Sequence, residues 1–114
     1  ALFARARELT RHVIVLDEFA IAPTDAPGAL HSREHFVVCA EMNGFRKTEE
    51  VDLSMQAGPT VDYFMSRLPR YRDQLIAELH LTAEQIDDLV ASGANYRDLY
   101  RSGTYGYRLL VFHS

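Results

Sequence analysis

FVVCAEMNGFRKTEEVDLSM, residues 36–55, sets Asn43-Gly44 between an apolar run, Phe36 to Met42, and an alternating one that holds Val51, Leu53 and Met55. Asn and Gly tolerate best the positive φ needed at both centres of a type I′ turn. The pair therefore predicts a two-residue hairpin joining strands over about 35–42 and 45–55. Such a turn fixes a register in which Met42 faces Phe45, Ala40 faces Lys47, Val38 faces Glu49 and Phe36 faces Val51. One face of the hairpin is then mostly apolar, and the other offers Glu41 a cross-strand partner in Arg46.

On the N-terminal side, Val13, Ile14, Val15 and Ile21 ahead of Pro23 give the β-branched density of a buried strand over 13–22. Before it, Leu2, Phe3, Ala6 and Leu9 recur near helical spacing and predict a short amphipathic helix within 2–11. Residues 23–33, with Pro23, Asp25, Pro27, Gly28 and Ser32, read as a loop.

Beyond the hairpin, Gly58-Pro59 breaks the sheet segment and the apolar period lengthens to that of helices. Val61, Phe64, Met65 and Leu68 form one stripe, and Pro69 opens a second helix carrying Tyr71, Leu75, Ile76 and Leu79. A third starts at a capping box, Thr82 with Gln85, inside a hydrophobic staple of Leu81 and Ile86, and Gly93 ends it as a left-handed cap. Asn95 caps a fourth, short helix with Tyr96, Leu99 and Tyr100. Tyr105 to His113 is the last strand, with Tyr105, Tyr107, Leu109 and Val111 on one face. The expected fold class is α+β in two layers: a mostly antiparallel sheet, a three-strand meander plus the C-terminal strand, covered by a cluster of short helices. Residues 1–114 form a single domain in this reading.

Composition narrows the partners. A chain 47% hydrophobic and 25% charged is ordered and globular rather than disordered. Its net charge of -4, with the bases scattered, argues against nucleic acid and anionic membrane surfaces, and Glu78, Glu84, Asp87, Asp88 and Asp98 would turn acids toward phosphates in any helix-turn-helix reading. No apolar stretch is long enough to span a bilayer, and the opening residues do not read as a signal peptide. The single cysteine, Cys39, cannot close an internal disulfide and fits a reducing compartment, so a cytoplasmic location is expected.

No string in the chain specifies a reaction. His31-Ser32-Arg33-Glu34-His35 matches the H-x-x-E-H of inverted zinc peptidases, but that chemistry needs the segment on a helix and a third ligand, and here it reads as loop running into strand; no metal is expected, with His31 and His35 the weak candidates. Val13-Ile14-Val15-Leu16-Asp17-Glu18 has the form of an ATPase magnesium strand without any phosphate-cradling glycine loop. Its alternation is more informative, because it puts Asp17 with Val13, Val15 and Phe19, and Glu18 with Ile14 and Leu16. One carboxylate must approach a core, and Arg108 or Arg11 is its expected partner. Cys39 lacks a base and reads as a small packed residue.

Tyr96, Arg97, Tyr100, Arg101, Tyr105, Tyr107 and Arg108 fall close together, a density of Tyr and Arg found at interface anchors. The primary expectation is thus a non-catalytic binding or accessory domain, acting through protein contacts or self-association at this tail and at an exposed edge of the last strand. The alternative is a small enzyme or small-molecule-binding protein with a carboxylate, Arg and His pocket: Asp17 or Glu18 as acid or base, Arg108 as anion contact, and His31, His35 or His113 as proton carrier. An acidic, immunity-type partner protein is a third reading. The sequence leaves catalysis undecided and calls for no cofactor.

Overall fold

Ser32 turns the apolar run after it into a helix. Its hydroxyl accepts the backbone N–H of His35 at 3.3 Å, and α2 occupies Arg33–Met42, where the sequence predicts the first hairpin strand. Over so few residues the pattern suits either structure. Phe36, Val37 and Ala40 recur at helical spacing and all pack on the core, which offsets the modest cost of placing β-branched residues in a helix. Asn43 is then the C-cap, and Gly44 takes φ +82°, a left-handed position that ends helices as readily as it turns hairpins. Glu41 is an exposed helical residue, so neither the hairpin register nor the Glu41–Arg46 pair forms.

The computed structural model describes residues 1–25 and 29–114; Pro27 and Gly28 of the expected loop lie outside the described residues. Two compact units emerge, Ala1–Ser54 with Gly103–Ser114, and Met55–Ser102. The first holds α1 (Leu2–Leu9), β1 (His12–Ala20), α2, β2 (Arg46–Asp52) and β3 (Tyr105–His113). Its sheet runs β1-β3-β2, with both pairings antiparallel. The α+β class and the antiparallel sheet match the expectation. The meander does not form, and the last strand, expected at an edge, is the central one.

On β3 Leu110 and Phe112 join the core cluster, on the face opposite Leu109 and Val111, and Tyr105 at the start of the strand is buried as well. They pack with Phe3 of α1, Phe19 of β1, Ala40 of α2 and Phe45, and the rings of Phe3, Phe36 and Phe112 meet edge-on or tilted. Val13 and Val15 join this face as the alternation of β1 requires, while Ile14 and Leu16 on the other face are 70% and 53% exposed. β2 is a charged outer strand with a bulge between Lys47 and Glu49, features that discourage edge pairing. A bidentate ion pair ties it to the start of α2: Arg33 Nε and Nη2 donate to Glu50 at 2.5 and 2.7 Å. The Arg33 hydrogen bond holds the Glu50 carboxyl below its ordinary range against the opposing effect of burial.

The second unit is helical. α3 spans Ser54–Arg67 and passes straight through Gly58-Pro59, where the sequence predicts a break. Pro59 merely lacks the N–H that would bond one turn back. A short 3-10 turn, Leu68–Tyr71, carries Pro69 near its start and leads into α4, Arg72–Leu79. α5 is one helix over Ala83–Arg101 and begins at the predicted capping box, with Thr82 Oγ1 accepting from Gln85 N at 3.1 Å and Gln85 Oε1 accepting from Thr82 N at 2.9 Å. Gly93 does not end it, and Asn95 starts no separate helix. Met65, Leu68, Ile86 and Tyr100 are buried in this unit.

Candidate functional site

In the sheet unit, register sets Asp17, Arg108 and Asp52 side by side across the three strands. Arg108, one of the two partners expected for a β1 carboxylate, turns to Asp52 instead. Its Nη1 donates to Asp52 Oδ1 at 2.5 Å and to Ser54 Oγ at 2.9 Å, and only 14% of its side chain is exposed. Ser54 Oγ also accepts Tyr107 N–H at 3.0 Å, while Ser54 N donates to Asp52 Oδ1 at 2.9 Å. The Ser54 hydroxyl and N–H, with Arg108 adding its charge, hold the Asp52 carboxyl below its usual range. Gly106 makes room for this arrangement, because a Cβ there would meet Arg108 Nη1 at 2.8 Å and Ser54 Oγ at 2.9 Å. Asp52, Ser54 and Gly106 are the members of this cluster that sequence reasoning missed; the lone Gly within a strand was the available signal.

Asp17 pairs instead with His31, whose Nε2 lies 3.6 Å from Asp17 Oδ2, and its other oxygen accepts Glu18 N–H at 2.8 Å. The imidazole is fixed by two rings: it stacks on Phe36 at 5.6 Å and meets Phe19 edge-on at 4.9 Å. Both side chains of the pair are about half exposed, so a carboxylate and an imidazole with a defined ring orientation face solvent together. Glu18 stands on the opposite face of β1 and aligns with Tyr107. His35 lies on α2 with Nε2 3.5 Å from Cys39 Sγ, and Cys39 packs against the core rather than facing solvent. His113 meets His12 edge-on at 4.5 Å, at the other end of the sheet from Asp17. Among the described residues no three His, Cys, Asp or Glu side chains gather as metal ligands.

The Tyr and Arg residues of the tail fall on two elements in different units. Tyr96, Arg97, Tyr100 and Arg101 are on α5, and Tyr105, Tyr107 and Arg108 are on β3. Tyr100 and Tyr105 are buried, and Arg101 is paired with Asp62 at 3.0 Å.

A cavity of about 440 Å³ opens in the helical unit between α3 and α5. Val61, Phe64 and Met65 form one wall, and Ser92, Gly93 and Tyr96 the other; the lining is almost wholly apolar and carries no charged side chain. The stripe on α3 is the one the sequence marks as helical, yet Phe64 is 51% exposed and lines a hollow instead of filling a core. Volume and lining are those of a small-molecule site.

No family model matches the sequence, and a search of curated proteins finds no match. Solved structures do match. The cyclopropane synthase MmaA2 from Mycobacterium tuberculosis is similar over 99% of this chain and 48% of its own, at TM-score 0.81 and 15% identity. The mycolic acid cyclopropane synthase CmaA1, complexed with SAH and CTAB, is similar over 99% and 48%, at TM-score 0.83 and 17% identity. A Haemonchus contortus phosphoethanolamine N-methyltransferase 2, in complex with phosphomonomethylethanolamine and S-adenosylhomocysteine, is similar over 99% and 29%, at TM-score 0.74 and 13% identity. At these identities the likeness is one of fold, and the chain spans about half the length of the two cyclopropane synthases. The expectation of a non-catalytic accessory domain working through protein contacts is corrected by these neighbours, which are enzymes with small-molecule ligands. Its physical premise fails as well, since the strand meant to offer an edge has a neighbour on both sides. Among the described residues no helix is long and apolar enough to cross a membrane.

Proposed function

We propose that this chain is part of an enzyme that binds and modifies a small organic molecule, and that the cavity between α3 and α5 receives an apolar portion of that substrate. The observation that carries the reading is the likeness to the synthases and the N-methyltransferase, which extends over 99% of the chain and includes the segment that forms the cavity. Burying apolar substrate surface there supplies binding free energy of roughly 25 cal/mol per Å². Two of the neighbours hold S-adenosylhomocysteine or SAH. The residues of this chain do not fit such a group: no two glycines stand closer than Gly103 and Gly106, and the space beside Gly106 is taken by Arg108 and Ser54.

Within this reading Asp17 and His31 are the proton-handling pair. The ring contacts with Phe19 and Phe36 hold the imidazole, with the Asp17 carboxylate 3.6 Å from its Nε2. The first test is a titration of the 114-residue chain with n-decanol and, separately, S-adenosylhomocysteine, followed by two-dimensional amide NMR. Decanol is expected to shift the amides of Val61, Met65, Gly93 and Tyr96, and S-adenosylhomocysteine to leave the spectrum unchanged. A spectrum indifferent to decanol would overturn the proposal.

A further inference from the structure

Gly93 stands near the middle of α5, where glycine is the poorest ordinary choice for a helix, and its backbone is not in the left-handed region that would call for it. Space explains it. A Cβ at this position would lie 2.3 Å from Met65 Sδ and 3.0 Å from its Cε, so the thioether of Met65 rests directly against the bare backbone of α5. Met65 is 9% exposed, and both residues line the cavity. Methionine is unbranched and has three side-chain torsions, which makes its terminus the adjustable part of this wall.

We infer that Met65 and Gly93 together set the depth of the cavity, and so fix the length of unbranched alkyl group that it accepts. The inference rests on the small-molecule reading above. A lining without charged side chains suits an alkyl group. In Gly93→Ala the new methyl displaces the thioether into the cavity and shortens it. In Met65→Ala the thioether is gone and the cavity deepens toward α5.

The experiment is calorimetric titration of the wild-type chain and both variants with n-hexanol, n-octanol, n-decanol and n-dodecanol, with far-UV circular dichroism to confirm that each variant is folded. In the wild type, affinity climbs by roughly fourfold per added methylene until the cavity is full and then levels off. Gly93→Ala is expected to level off at a shorter alcohol and Met65→Ala at a longer one. The same levelling point in all three proteins would overturn the inference and leave the underlying reading standing. If no alcohol binds even the wild type, the reading fails and the inference with it. Should Gly93→Ala not fold, the shift in Met65→Ala alone decides.

Discussion

In the sheet unit four phenylalanines, Phe3, Phe19, Phe45 and Phe112, are each exposed by 4% or less, whereas the helical unit buries Met65, Leu68, Ile86 and Tyr100 and leaves Met55, Tyr63, Phe64, Leu79 and Leu89 largely in the open. The first unit closes these rings on one another, though it too exposes Leu2, Leu9, Ile14, Leu16 and Met42; in the second, Phe64 stands beside an apolar cavity that no side chain fills. The aromatic core and the cavity proposed for a ligand thus lie in different units of one chain. Regions that admit a ligand are drawn from the less stable end of a structure, which under the proposed function is the helical unit.

The largest effect is expected from Phe112→Ala, which removes a fully buried ring from the sheet unit and costs about 3–5 kcal/mol, a large share of the roughly 5–15 kcal/mol that holds a domain folded. Ile86→Ala, the matching change in the helical unit, is expected to cost about 2–4 kcal/mol. Urea unfolding followed by circular dichroism measures both. Equal costs would break the contrast between the units, and two separate transitions in the wild type would break the single domain expected from the length of the chain.

Glu50→Gln is the next in size, at about 1–2 kcal/mol, because it leaves the buried side of Arg33 without its charged partner. The pH dependence carries the same information. Glu50 has its pKa lowered in the folded state, so its contribution is fully present above the ordinary glutamate value of about 4.3 and is lost as pH falls through the lowered folded value. Wild-type stability measured from pH 7 downward should thus fall more steeply in that acid window than that of Glu50→Gln; parallel curves would remove the pair from the account. The smallest effect belongs to the helical unit: Thr82→Ala forfeits the capping box for about 1 kcal/mol, with faster amide exchange in the first turn of α5 and no change in the sheet.

Where local chemistry and tertiary packing agree, the elements are legible in sequence. The capping box at Thr82 and Gln85 and the strand Tyr105–His113 are formed as their residues predict. The segment after Ser32 is not, because Phe36, Val37 and Val38 favour a strand locally while Phe36, Val37 and Ala40 suit a helix packed on Phe3 and Phe19. Asn43-Gly44 is an equally good end for either. Gly93 misled for a related reason, since a glycine can mean a turn or a close neighbour, and only three-dimensional structure reveals Met65. At the candidate site, the sequence marks Asp17 and His31 separately and gives no sign that they pair. Arg108 is one of the two bases the sequence offers to Asp17 or Glu18 and has the cross-strand register for Asp17, yet Ser54 and Gly106 direct its guanidinium to Asp52.

The central place of β3 has a kinetic meaning. β1 and β2 do not touch as strands; each hydrogen-bonds only to β3 within the sheet, and His12 pairs with His113 across almost the whole sequence. Helices α1 to α5 form from local contacts, but no ladder of this sheet can begin until β3 has left the ribosome. Sheet assembly is therefore a late, high-contact-order event, slower than the helices that precede it, and until then the aliphatic residues of β1 wait unpaired in the path of aggregation.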